Sequence, residues 1–198
     1  MAEEITGVPY GAYYLSANPG QYQPQLSQNF VFIFPDFPAL LKEGKLGVED
    51  DAYIYDVSKT LEVSLISAQI PTYQQGEVVV RRGNSMAKYA GTITWQDINL
   101  KFNSFEGIHT KDAILAWRAL CYNVEKDSIP SLAYAEIPYK QTCYLLEYSG
   151  DWRLQRKWEI RNAFPSDVTF DEYSFESQDT KQTVSVVLKY DNARVVYD

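Results

Sequence analysis

Apolar and polar side chains alternate with a period of two in several parts of the chain, as they do in strands with one face in a core. The alternation is clearest near residue 186, where one face holds Val184, Val186, Leu188 and Tyr190. We predict a strand from Thr183 to Tyr190 that is central to a sheet, because its apolar face is uninterrupted.

Similar reasoning predicts strands along most of the chain. They are the apolar run 29–34, which Pro35 ends, the segment 61–70, the short segment 77–82 before a turn at Gly83-Asn84, the long segment 91–104, the hairpin strands 141–148 and 153–161, and, after a turn at 162–165, the segment 168–175. The apolar phase slips near Leu65 and at Gln96-Asp97. A slip swaps the face that looks inward, so bulges or bends are predicted there.

One helix is predicted, from Thr110 to about Val124. Thr110 is a suitable N-cap, and Asp112 suits the positive end of the helix dipole. The apolar positions then follow helical spacing, and they are Ala113, Ile114, Trp117, Leu120, Cys121 and Val124.

Two segments lack any period. Residues 1–27 are rich in Tyr, Pro, Gly and Gln and are interpreted as an irregular arm. Residues 40–58 mix charges with Gly44 and Gly47 and are interpreted as a long loop or an exposed hairpin. We find no internal repeat and no domain boundary, so the expectation is a single domain over residues 1–198.

Composition refines this picture. A content of 45% hydrophobic and 15% aromatic residues indicates a mainly β class with a real core. The net charge of −8 has the wrong sign for a protein that grips phosphates. No basic and apolar leader and no membrane span is recognised, which predicts a cytoplasmic site of synthesis and no membrane anchor. Cys121 and Cys143 are expected to be free, buried thiols.

Candidate catalytic chemistry is sparse. His109 is the single histidine and, at the start of the helix, is interpreted as a turn residue. Phosphate-binding loops and zinc clusters are missing from the sequence. A carboxylate group could indicate calcium or a glycosidase pair, but a solvated strand face is the favoured interpretation; its members are Asp167, Asp171, Glu172, Glu176 and Asp179. No enzyme, cofactor or metal site is therefore predicted.

Three stretches carry a resemblance to a known family. They are Ser64–Pro71, the segment from Tyr89 through Trp95 and Phe102 to Trp117, and Trp158–Val168 followed by Val184–Tyr190. Over residues 28–191 the chain resembles the tail tube proteins of contractile-tailed bacteriophages and, more distantly, the tube protein of type VI secretion systems. Asn162 stands where that family often has a glycine, and Asn also tolerates positive φ.

The resemblance implies a curled antiparallel β-sandwich or barrel with one flanking α-helix. It further implies hexameric rings that stack into the inner tail tube of a virion, with tail sheath and baseplate proteins as partners and assembly in the host cytoplasm. DNA would pass through this tube during ejection without specific binding, which the acidic net charge suits.

The segment 40–58 is the expected contact between rings, because its apolar residues are too few for a core and too many for a solvated linker. The candidate contact residues are Lys42, Lys45, Leu46, Val48, Tyr53 and Ile54. Alternatives are a tube initiator, a terminator or a baseplate-junction protein of the same fold, and a secretion-system tube. A carbohydrate-binding module is a rival of a different class, suggested by the tyrosine-rich β composition.

Overall fold

The computed structural model describes residues 25–34, 57–105, 109–122, 124, 127–130, 138–173 and 181–197. Within them, nine strands and two helices follow in the order β1 (Phe30–Ile33), α1 (Val57–Ser64), β2 (Leu65–Ala68), β3 (Tyr73–Arg82), β4 (Ser85–Trp95), β5 (Ile98–Asn103), α2 (Thr110–Cys121), β6 (Gln141–Tyr148), β7 (Leu154–Phe170), β8 (Thr183–Lys189) and β9 (Asn192–Val196). The fold is mainly β, and every strand pairing in these ranges is antiparallel.

Two sheets share the long strand β7. Its first half pairs with β6 on one side and with β9 on the other, whereas Phe164–Phe170 pair with β8. One sheet therefore has the order β1-β6-β7-β9 and the other the order β7-β8-β5-β2. Because one strand passes from sheet to sheet, the described strands form a curled, sandwich-like fold, as expected.

The partners of β7 change where the sequence predicted a turn. Asn162 has a φ of 57°, and the register shifts between Pro165 and Asp167. The predicted turn at 162–165 is thus wrong in one respect, because the residues bend a continuous strand and do not end it. Asn162 thus adopts the positive φ that asparagine tolerates. Lys140 and Asn162 fix this bend by donating to the Asp191 carboxylate over 2.9 Å and 2.7 Å.

The core lies between the two sheets and under α2. Alternate residues of the central strands point inward, and they include Leu100, Leu145, Ile160, Val184, Val186 and Leu188. The predicted central position of the last alternating strand is confirmed, since β8 lies between β7 and β5. From α2, Ile114 and Trp117 are buried, and the Trp117 ring meets Phe34 edge to face at 6.1 Å.

Helix α1 replaces the first part of a predicted strand. The strand expected over 61–70 begins only at Leu65, and residues 57–64 are helical. Leu61 and Ser64 are fully buried whereas Val63 is 66% exposed, which is helical spacing and not alternation. Ser64 Oγ lies 2.8 Å from Thr110 Oγ1, so contact with α2 decides the local structure. The predicted loop 40–58 therefore loses its last two residues to a helix.

Helix α2 is confirmed with two corrections. It ends at Cys121 and not at about Val124, and its N-cap is His109, which has a φ of 50°. Thr110 was predicted to be the cap, but its hydroxyl is used in the buried bond to Ser64. Cys121 is only half-buried, contrary to expectation, while Cys143 is fully buried, and both are free thiols.

The slip near Leu65 coincides with a register shift between β2 and β5, and the slip at Gln96-Asp97 is the break between β4 and β5. The long strand predicted over 91–104 is therefore two strands, and β9 was not predicted.

The irregular arm 1–27, except its last three residues, lies outside the described residues. In the described ranges no helix has the length and apolar character to cross a membrane.

Candidate assembly surface

The hairpin of β3 and β4 forms a two-stranded sheet of its own. We call this hairpin the arm, and it is distinct from the irregular N-terminal segment 1–27. Every residue of β3 is exposed, and in β4 only Gly91 and Trp95 are half-buried. The arm is fastened at its base, where Trp95 contacts Tyr73 and Tyr190 with ring centroids 5.4 Å and 5.8 Å apart. Two strands alone are marginally stable in water, so such an arm gains most from a further surface to cover it.

Cross-strand register gives the arm two unlike faces. Val78 lies opposite Tyr89 and Val80 opposite Ala87, which makes one face apolar. Tyr89, Val78 and Val80 are 59%, 52% and 49% exposed. We call this the apolar face of the arm. Contiguous exposed apolar side chains of this kind mark interaction sites in soluble proteins.

The opposite face of the arm is mixed. It carries an ion pair between Lys88 Nζ and Glu77 Oε2 at 3.0 Å, together with Arg81 and the apolar Val79 and Met86. An exposed pair such as this contributes little stability, but it marks a face that suits water. The arm therefore has an apolar face that suits burial against a partner and a mixed face that can stay in water.

A close backbone approach shapes the base of the arm. The register shifts between Gln75 and Glu77, so that Gly76 of β3 faces both Gly91 and Thr92 and the extra residue lies in β4. A Cβ added at Gly91 would lie 2.9 Å from the carbonyl carbon of Gly76 and 3.0 Å from its oxygen. Only glycine allows this approach, which sets the direction of the arm.

The two sheets present strand edges to which no other described strand pairs. β1 ends one sheet and β2 ends the other. Unpaired backbone N–H and C=O groups at such edges are ready to pair with another chain. Between these strands lies an opening of about 290 Å³, which we call the seam groove. Most of its surface is apolar and comes from Leu26, Phe30, Ala68, Ile70 and Leu145, while its polar lining residues are Gln25, Ser27, Asn29 and Glu147.

Glu147 is the charged group of the seam groove, and it is almost fully buried. Trp158 Nε1 donates to its Oε1 over 2.7 Å, and Arg156 Nη1 lies 3.5 Å from Oε2. The groove is therefore lined by a carboxylate whose hydrogen-bonding needs are met. Its remaining surface suits an apolar occupant better than a polar one.

The sequence-predicted chemistry has no catalytic geometry in the described residues. His109 Nδ1 lies 3.2 Å from Asp112, and both side chains are exposed at the start of α2. No group of three or more described His, Cys, Asp or Glu side chains could hold a metal ion. Within the carboxylate group, Asp171 accepts from the backbone N–H and hydroxyl of Thr183, both at 2.7 Å, and these bonds lower its pKa. Glu176 and Asp179 lie outside the described residues.

The predicted contact candidates between rings also lie outside the described residues, and they are Lys42, Lys45, Leu46, Val48, Tyr53 and Ile54. Sequence reasoning missed the arm as a surface. The available signal was the run Val78-Val79-Val80, which is apolar in both phases, between two glycines at 76 and 91. Such a run was equally compatible with a buried strand.

The fold is similar to solved parts of contractile injection particles. The cap that terminates the tube of the anti-feeding prophage matches with a TM-score of 0.60 at 15% identity, covering 88% of this chain and 92% of that one. The sheath/tube terminator of PVC, an extracellular contractile injection system, matches with a TM-score of 0.59 at 14% identity, covering 88% and 97%. The chain has the tail-tube fold.

The sheath–tube complex of the same injection system also contains a chain with the tail-tube fold, matched with a TM-score of 0.54 at 15% identity over 91% of this chain and 96% of that one. No protein-family profile and no curated protein matches the sequence. The three matched chains come from structures of a tube cap, a sheath/tube terminator and a sheath–tube complex, and at these identities they show a shared fold.

Proposed function

We propose that the chain is a structural subunit that assembles into hexameric rings, and that these rings stack into the inner tube of a contractile tail. The tail-tube fold supports this, and the single observation that carries it is the arm, whose apolar face is exposed in the isolated chain. A contact between an arm and a different surface of the next copy is heterologous, so it closes into a ring when the rotation allows.

Sheath and baseplate proteins are the proposed partners of this tube, and DNA is its proposed cargo. The matched structures include a sheath–tube complex and a baseplate, which supports the first assignment. The net charge of −8 supports the second, because a conduit works best when DNA is not held by counterion-releasing contacts. The particle would be a phage tail assembled in the host cytoplasm.

Electron microscopy of the purified chain tests the proposal, together with sedimentation velocity over a range of concentrations. A main tube subunit gives stacked rings or long tubes with an open channel. A protein that stays monomeric even at millimolar concentration would contradict ring assembly.

A tube terminator is the second candidate, favoured because two of the matched structures are a tube cap and a tube terminator. The same micrographs separate the two functions. A terminator stops at single rings, whose further growth is blocked on one side. Addition of these rings to growing tubes would then shorten the tubes.

Segment 40–56 is proposed as a contact between stacked rings, on the sequence grounds given above. Replacement of residues 43–55 by a short Gly-Ser link should leave a folded chain that no longer forms tubes, because rings lose an axial contact. Micrographs and sedimentation give the readout. Tubes that still grow from the shortened chain would show that the segment does not connect rings.

A further inference from the structure

The seam groove and the apolar face of the arm are complementary in chemistry. The groove lies where the edge strands β1 and β2 leave the sandwich open, and its lining is mainly apolar. The arm presents Val78, Val80 and Tyr89 on one face, with no described residue covering them. Each surface leaves apolar area in water that the other could remove.

The sizes of the two surfaces also agree. A dry apolar cavity of roughly 150 Å³ is large enough for a benzene ring. The seam groove, at about 290 Å³, therefore has room for the Tyr89 ring together with a valine side chain. The partners of Glu147 are already in place, so an apolar occupant would leave no buried carboxylate unpaired.

Charge favours a second copy of the chain as the source of the arm. The arm contains three cations, Arg81, Arg82 and Lys88, against the single anion Glu77. The chain as a whole has a net charge of −8, so the rest of each copy is more acidic than the total. A cationic arm is thus attracted to the acidic body of another copy, and this attraction also orients the approach.

We propose that the arm of one copy docks its apolar face, Val78, Val80 and Tyr89, on the seam groove between β1 and β2 of a second copy, with the Tyr89 ring and one valine side chain inside the groove. The mixed face, with Lys88 and Glu77, then stays in water. The contact rests on the proposed ring assembly and specifies which two surfaces meet in it. The arm and the groove are different surfaces, so one copy can give an arm to one neighbour and receive an arm from the other.

Intermolecular cysteine cross-linking tests the inference. One chain carries Val80→Cys and a second chain, with a tag that changes its mass, carries Ala68→Cys; both have Cys121→Ser, while Cys143 is fully buried and stays. The mixture is assembled, oxidised and run on a non-reducing gel. A disulfide needs Cα atoms about 4.4–6.8 Å apart, so only a docked arm gives the mixed dimer.

The matched control is Val79→Cys, one residue away on the mixed face of the arm. The expected result is a strong mixed dimer for Val80→Cys with Ala68→Cys and only a trace for Val79→Cys. Ile70→Cys, an exposed groove residue, supplies a second pair if Ala68→Cys impairs folding. Assembled rings without a preference for Val80→Cys would overturn the inference and leave the proposed function intact. Chains that do not assemble at all would overturn both.

Discussion

Replacement of Gly91 by alanine tests whether the direction of the arm matters for assembly. The new Cβ would lie 2.9 Å from the Gly76 carbonyl carbon, 3.0 Å from its oxygen and 3.2 Å from Glu77 N. All three atoms are backbone, so no side-chain rotation relieves the contact. An ordinary van der Waals distance between such atoms is about 0.5 Å longer, and overpacking of this kind typically destabilises the structure by about 1–3 kcal/mol.

This cost should fall on the arm and not on the core. β3 and β4 bury almost none of their residues, and the arm is fastened mainly through Trp95 and Tyr190 at its base. We therefore expect the arm to twist or open locally while the sandwich stays folded. In denaturant melts, the free energy of unfolding of Gly91→Ala should fall by less than the roughly 1–3 kcal/mol of local strain. Ring and tube formation should be strongly reduced.

The assay pairs denaturant melts with counts of rings and tubes in micrographs at equal protein concentration. Gly76→Ala is the matched control, because its Cβ would lie 3.3 Å from Thr92 O, a milder contact. Assembly should therefore fall less for Gly76→Ala than for Gly91→Ala. If Gly91→Ala assembles like the unchanged chain, the direction of the arm does not govern assembly and the reasoning is refuted. A large loss in global stability would show instead that the arm belongs to the folded core.

Three further predictions concern the core, the strand bend and the charge. Trp117→Ala should lower the free energy of unfolding by about 3–5 kcal/mol in denaturant melts, whereas Leu115→Ala, on the exposed side of α2, should change it little. Hydrogen bonds from Lys140 and then from Asn162 lower the pKa of Asp191, so the ionised carboxylate stabilises the fold above the usual Asp pKa, and this stabilisation is lost as the pH falls through the lowered pKa. Between neutral pH and about pH 3, the free energy of unfolding measured in denaturant melts should therefore fall less for Asp191→Asn than for the unchanged chain. Finally, the assembled protein should not retard duplex DNA in gels at physiological salt, and binding that weakens steeply with added salt would contradict the proposed conduit.

The alternating strands and the main helix could be read from sequence because burial alone imposes their period. Exposure of Val184, Val186 and Leu188 to water would cost considerable free energy. A strand avoids this cost because it places all three side chains on one face, which can be buried. The glycine that the resembled family often has at position 162 indicated a backbone that asparagine can also adopt, and Asn162 has a positive φ. These features depend on neighbours a few residues apart in the chain.

Tertiary structure decided the features that depend on distant partners. Leu61 and Ser64 fit either a strand or a helix, and contact with Thr110 on α2 selects the helix. The bend at Asn162 is a change of partner from β9 to β8, which local sequence cannot distinguish from a turn. Val78 and Val80 have the same chemistry as core valines, and only the absence of a described strand over the arm shows that they are exposed. An apolar side chain indicates that a surface is to be covered, but which surface covers it is a property of the folded chains.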